Sequence, residues 1–201
     1  MDTLLTWVVC AVGLCGAELA YWLPLKKRDR FRLRALLDLI IVIPLSRLMV
    51  FGNSGRLDTL LLLVIYAAYF TCAAVSTHLC TRLDWAASAY CSVWIVLTSE
   101  SVYELWRVLI WTAEALGMRH LSLYSTPMLL GQLGFTVVCC IVVRFTVART
   151  MPEDGTYHIG PRQLGSAGLM GVMFVFQFFA LQTSLRIGLH PSAVVAPSLL
   201  T

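Results

Sequence analysis

The sequence has too little charge for a protein that faces water on all sides. Charged residues make up 13% of its 201 residues and hydrophobic residues make up 59%. The mean hydropathy is +0.79. A typical water-soluble domain contains about 25% charged residues. Polar side chains in such a small number cannot cover a soluble globule, so the composition predicts a polytopic membrane protein with the lipid bilayer as its main partner.

Patterns that would indicate an enzyme or a metal site are also missing. The seven cysteines include no CxxC pair, and the four histidines lie in separate segments without ligand spacing. His78 and Cys80 would point about 200° apart on a helix, which argues against a catalytic pair. Gly165, Gly168 and Gly171 lie in an apolar run, spaced for helix packing rather than for phosphate binding. We expect no catalytic residue, no metal and no cofactor.

One short stretch, KKRDRFRLR, holds six of the 15 basic residues and lies between two apolar runs. A cluster of this kind beside a membrane helix is retained in the cytoplasm, where anionic lipid attracts it. Basic residues in such positions, without interleaved aromatics, do not indicate nucleic-acid binding. The residues that set the topology are Lys26, Lys27, Arg28, Arg30, Arg32 and Arg34.

The apolar runs predict an all-α bundle of six transmembrane helices. No basic residue precedes the first run, so we interpret that run as a retained helix with the N-terminus outside. Alternation from the basic stretch then places ten basic residues inside and five outside, out of 15. The predicted helices are Thr3–Pro24, Ala35–Phe51, Thr59–Cys80, Ala86–Trp111, Leu121–Val147 and Leu164–Arg186.

The sequence thus predicts a bundle domain over residues 1–188 in the plasma membrane. The remaining residues, 189–201, become apolar again but are too few to cross a bilayer, which takes about 20 residues. We interpret them as the start of a seventh helix, or alternatively as an outer tail.

The fourth helix carries an unusual set of charges. Glu100, Glu104 and Arg107 fall within about 60° of one another on one helix face. Charges at this depth are costly and normally face a bundle interior or a water-filled cavity. Two interpretations remain open. One is an outward-opening pocket that binds a ligand, and the other is an internal ion pair with a protonated Glu100 bonded to Gln132 or Gln177.

Two further carboxyl groups lie in the first two helices. Glu18 is near the inner end of helix one, where Lys26 or Lys27 could snorkel towards it, although a functional carboxylate is the alternative. Asp38 lies four residues after Arg34, a spacing that predicts a local ion pair at the inner interface.

The order of parts resembles the membrane-embedded sensor region of GHKL-type sensor histidine kinases, similar to the Agr-type peptide-pheromone receptor kinases of Gram-positive bacteria. Three features carry this resemblance: KKRDRFRLR after helix one, the short-looped helices, and YHIGPRQL before helix six. The resemblance implies a receptor for an external peptide or small molecule that signals to a cytoplasmic kinase and works as a homodimer. The kinase motifs of that family do not occur before Thr201, so we expect no enzymatic activity from this polypeptide alone.

Two other functions fit the same pattern. Six short-looped helices with a charged face near the bilayer middle also suit a small transporter or its substrate-binding subunit, although no clear inverted repeat is present. A structural membrane protein without a ligand is the third alternative.

Overall fold

In the computed structural model, five long helices follow one another along the described part of the chain, and the predicted all-α fold is confirmed. The structure describes residues 3–51, 59–116, 125–146, 148, 160–163, 165, 167–169 and 171–173. Within these ranges there is no β-strand. The helices are α1 (Thr3–Trp22), α2 (Phe31–Phe51), α3 (Thr59–Cys80), α4 (Trp85–Ala115) and α5 (Thr126–Phe145).

The chain divides into two compact units, Met1–Ile159 and Gly160–Thr201. In the second unit, the described residues from Pro161 to Met173 are helical, which gives the start of the predicted sixth helix. The amide of Gly160 donates to Oε1 of Gln163, and the amide of Gln163 donates to the carbonyl of Gly160. The rest of that helix, the predicted boundary after residue 188 and the terminal tail lie outside the described residues.

In the first unit, α1 is the central helix. It packs against α5, α2 and α4, and more lightly against α3, while α3 packs against α2 and α4. Small residues let the backbones approach, as at Gly16, where an added Cβ would lie 3.0 Å from Sγ of Cys140 on α5. Ala17 and Ala73 are fully buried within the same core.

Three of the described helices are long and apolar enough to cross a membrane, over Leu4–Trp22, Leu63–Cys80 and Thr126–Phe145. The outward surface of α2 is apolar as well: Ile40 is 68% exposed, and Leu36 and Leu37 are also exposed, while Asp38 is buried. Apolar side chains outside and a carboxyl inside reverse the pattern of a soluble protein, and this distribution suits contact with lipid.

Helix ends differ from the prediction where local backbone chemistry decides them. α1 stops at Trp22, two residues before Pro24. α4 starts at Trp85 behind Asp84, whose Oδ1 accepts the amide of Ala87 at 2.7 Å, and it continues to Ala115 instead of ending at Trp111. α5 begins at Thr126, not at Leu121. Pro127 therefore lies in the first turn of α5 and not in the helix interior. An N–H at this position has no partner within the helix, so its absence in proline does not destabilise α5.

Four of the six basic residues of the basic stretch lie in the connection between α1 and α2, and we call residues 23–30 the basic loop. Its backbone pairs with the α3–α4 connection: the amide of Arg28 donates to the carbonyl of Cys80 at 3.0 Å, and the amide of Arg82 donates to the carbonyl of Lys26 at 2.9 Å. Nε of Arg28 adds a bond to the carbonyl of Thr81 at 2.7 Å. The two connections therefore lie at the same end of the bundle, as the predicted alternation of helices requires.

Arg30 ends the basic loop in a left-handed backbone conformation, with φ of 58°. This conformation is strained for a residue with a Cβ, but glycine adopts it readily. We expect Arg30→Gly to raise the free energy of unfolding by about 0.5 kcal/mol, the balance of relieved strain and glycine entropy.

The matched control is Arg32→Gly, which removes the same charge from an exposed position in the first turn of α2 and should lower the free energy of unfolding by about 0.5 kcal/mol. Reversible unfolding in mixed detergent micelles measures both changes. Equal losses in the two variants would show that the strain at Arg30 has no energetic weight.

Candidate functional site

Polar side chains line the interior of the first unit. Buried serines and threonines accompany three buried carboxyl groups that come from three different helices. Glu18 on α1 is 1% exposed, Asp38 on α2 is 4% exposed and Glu100 on α4 is 8% exposed. Buried ionisable groups in an apolar bundle are costly, which makes this interior the candidate functional site.

Glu18 and Asp38 meet near the end of the bundle that carries the basic loop. Glu18 lies one helical turn before the end of α1, about 6 Å along its axis, and Asp38 lies two turns into α2, about 10 Å. Their carboxyl groups are within hydrogen-bonding reach of each other. The hydroxyl of Ser76 on α3 donates a hydrogen bond to Oδ1 of Asp38. Side chains from α1, α2 and α3 therefore meet at this end of the bundle. We call Glu18 and Asp38 the carboxyl pair.

Neither of the salt bridges predicted for these carboxyls is present. Among the described residues, Glu104 and Arg107 form the only salt bridge. Arg34 turns away from Asp38 and donates to the carbonyl of Leu79 at the end of α3. The predictions were wrong because each was based on neighbours in sequence, whereas packing of α1 against α2 brings the two acids together.

Tyr69 on α3 connects the carboxyl pair with Glu100. Its side chain is fully buried, and it is close enough to interact electrostatically with both Glu18 and Glu100. Its hydroxyl lies beside Ser99, the residue before Glu100. One turn away on α3, the hydroxyl of Tyr66 is within hydrogen-bonding reach of the Glu100 carboxyl. Polar groups thus continue from one end of the bundle to the middle of α4.

Further along α4 the predicted pair is confirmed. Nη1 of Arg107 donates to Oε1 of Glu104 at 2.8 Å, and both side chains are partly exposed. The guanidinium also lies over two rings, 4.8 Å from the centroid of Trp111 and 5.9 Å from that of Tyr103. This group, Tyr103, Glu104, Arg107 and Trp111, offers both signs of charge and an aromatic surface; we call it the α4 ridge.

Of the two glutamine partners proposed for Glu100, only Gln132 lies among the described residues. Gln132 is buried on α5, at 5% exposure, but the polar neighbour of Glu100 is Tyr66. Gln177 lies outside the described residues. Nearby, Trp106 packs its ring against Phe135, with centroids 5.5 Å apart, and against Gly131, which holds α4 next to α5.

The cysteines form no disulfide, and His78 contacts the start of α4 and the connection before it. All seven cysteines are free thiols. His78 stacks on Trp85 with ring centroids 4.0 Å apart, and its Nδ1 lies 3.0 Å from the carbonyl of Leu83. Among the described residues, no group of three or more His, Cys, Asp or Glu side chains could hold a metal ion.

The comparisons with known proteins give no family for the chain. No protein-family model, no curated protein and no solved structure matches it.

Proposed function

We propose that this chain is the membrane-embedded receptor region of a bacterial sensor protein, which detects an external peptide or small molecule. The observation that carries the proposal is the α4 ridge. An ion pair with two aromatic rings, partly exposed, can bind both charged and apolar parts of a ligand. It lies on the same helix as Glu100, so a ligand there would act directly on the polar interior.

The proposed orientation places the N-terminus outside the plasma membrane and the basic loop inside, with six crossings. Support comes from the basic loop itself, since a dense basic cluster stays cytoplasmic and here pairs with the next connection at that end. Trp85 and Arg107 lie 22 residues apart on α4, about 33 Å of helix, which is close to the thickness of a bilayer core. In the proposed orientation the α4 ridge lies at the outer side.

Signal transfer through α4 follows from this arrangement. One uninterrupted helix runs from the α4 ridge to Trp85, which stacks on His78 beside the paired connections. A ligand that prefers one position of α4 would shift the equilibrium between positions, and the inner end would move with it. The output we propose is control of a cytoplasmic histidine kinase domain, in a homodimer.

The first test is the gene sequence beyond codon 201, where we expect the codons of a further helix and a kinase. The second test expresses that full-length protein and measures kinase autophosphorylation in membranes treated with conditioned culture medium. Arg107→Gln should reduce the response at least tenfold, because it removes the positive charge of the α4 ridge. Arg82→Gln, which removes an exposed charge at the other end of the bundle, is the control and should respond normally. A stop codon after Thr201 without a neighbouring kinase gene would contradict the proposal.

A small transporter is the second candidate, and the three buried carboxyls favour it, since such groups mark substrate and proton pathways. Uptake by proteoliposomes that depends on Glu100, and disappears in Glu100→Gln, would support transport and count against the receptor.

A further inference from the structure

We propose that the carboxyl pair, Glu18 and Asp38, is an intramembrane proton-binding site, with Glu18 holding a proton that it donates to Asp38. The site is separate from the α4 ridge and does not depend on the receptor function. It takes the proton as its ligand, from the aqueous phase at the end of the bundle that carries the basic loop.

The chemistry of hydrogen bonding requires the proton. An ionised carboxylate only accepts hydrogen bonds, so two carboxyl groups within bonding reach need a proton between them. Ser76 donates to Oδ1 of Asp38, whereas Oε1 of Glu18 has no donor among the described residues, so we assign Asp38 as the acceptor of the pair and Glu18 as its second donor. Asp38 in this arrangement accepts two hydrogen bonds, and Glu18 is neutral.

The second oxygen of Glu18 gives an independent observation. Oε1 is buried, and none of the described residues forms a hydrogen bond with it. A negative charge on such a buried oxygen would have no donor among the described residues, which is far costlier than a neutral carbonyl in the same place. An unpartnered oxygen on a side chain 1% exposed therefore belongs to a protonated acid.

No described group around the pair supplies a compensating cation. Within the described part of the chain, no lysine or arginine forms an ion pair with either acid, and Arg34 is bonded to Leu79. The titratable groups that interact with the pair are thiols and a phenol, which carry no positive charge. They are Cys15 on α1 and Tyr69, Cys72 and Cys80 on α3, while α5 places Cys140 against Gly16. The guanidinium of Arg34 lies near Cys80.

A metal cation fits less well. Two carboxyls and one hydroxyl provide few oxygens for an ion that takes six to eight ligands, as calcium does. No group of three acidic, thiol or imidazole side chains among the described residues could supply the remainder. A proton needs only the two oxygens that already face each other.

Infrared spectroscopy of the full chain in proteoliposomes tests the proposal at neutral pH. The carbonyl stretch of a protonated carboxyl is separate from that of a carboxylate. We expect wild-type protein to show this band and Glu18→Gln to lose its Glu18 component. Asp38→Asn should shift that component, because the acceptor changes. Asp29→Asn, at an exposed position in the basic loop, is the control and should leave the band unchanged.

Labelling glutamate side chains with ¹³C makes the test independent of any variant that fails to fold. In wild-type protein, part of the protonated-carbonyl band should move on labelling and should be unaffected by sodium concentration. Three results would overturn the proposal. The first is the absence of a protonated glutamate band at neutral pH, and the second is a labelled band that Glu18→Gln leaves intact, because that band would belong to Glu100. The third is a band that sodium removes, which would indicate a metal cation.

Discussion

Replacing Trp22 with alanine should lower the free energy of unfolding by about 3 kcal/mol, the low end of the range for large aromatic side chains in a packed core. Trp22 is the last residue of α1 and is 1% exposed. Its ring meets Phe31 of α2 edge to face, with centroids 6.4 Å apart. Its Nε1 donates to Oγ1 of Thr77 on α3 at 2.8 Å. One side chain thus joins three helices next to the carboxyl pair.

The size of the loss has two causes. Truncation leaves a cavity that the surrounding helices fill only in part, and it removes the hydrogen bond to Thr77. Trp22→Phe separates them, because it retains most of the ring packing and should cost about 1 kcal/mol.

Reversible unfolding in mixed micelles measures both variants, with Leu23→Ala as the control. Leu23 is the next residue but is 43% exposed, so its truncation should cost much less. If Trp22→Ala and Leu23→Ala had equal effects, Trp22 would not be the contact that joins the three helices.

The helices themselves were predictable because each is a long apolar run. The prediction of Thr59–Cys80 agrees with α3 at both ends, since turn-forming residues and a charged connection flank that run. The predicted helix ends were wrong where polar residues extend a helix beyond its apolar run. α2 begins at Phe31, four residues earlier than predicted, because the exposed side chains of Arg32 and Leu33 sit on the first turn without cost.

The polar interior was predictable only in part. Glu104 and Arg107 are three residues apart on one helix, so their ion pair follows from helical geometry alone. The carboxyl pair does not follow in this way, because its members are 20 residues apart in sequence, on helices whose rotation depends on packing. A signal was present: Glu18 and Asp38 each interrupt an apolar run, and such interruptions normally face other helices rather than lipid.

Tyr66 and Tyr69 had no comparable signal. Both are aromatic residues in an apolar run, where a phenol hydroxyl does not stand out from the rings around it. Their spacing of three places them on one face of α3, and the buried acids on α1 and α4 determine what that face meets. This information is available only once the helices are packed together.

The second large effect concerns the energetic coupling between Glu18 and Asp38. Asp38→Leu alone should lower the free energy of unfolding by about 2 kcal/mol, because Glu18 and Ser76 both lose their acceptor inside the bundle. Glu18→Leu alone should cost a similar amount, since it removes the donor to Asp38.

The double variant should lose less free energy of unfolding than the two single variants lose in total. With both acids replaced by apolar side chains of similar size, only Ser76 lacks its partner, and hydroxyls in helices bond to their own backbone. We therefore expect Glu18→Leu with Asp38→Leu to return to within about 1 kcal/mol of wild type. Asp38→Leu combined with Glu104→Leu, on the α4 ridge, is the control, and its losses should add.

Additive losses in the Glu18 and Asp38 cycle would mean that the two carboxyls do not interact. If the double variant is instead nearly as stable as wild type, a further consequence follows. If an apolar pair is about as stable as the acidic pair, stability alone does not account for two carboxyl groups inside an apolar bundle. The double variant would then fold but bind no proton at this position. Comparing its signalling or transport with that of wild type would show which activity requires the proton.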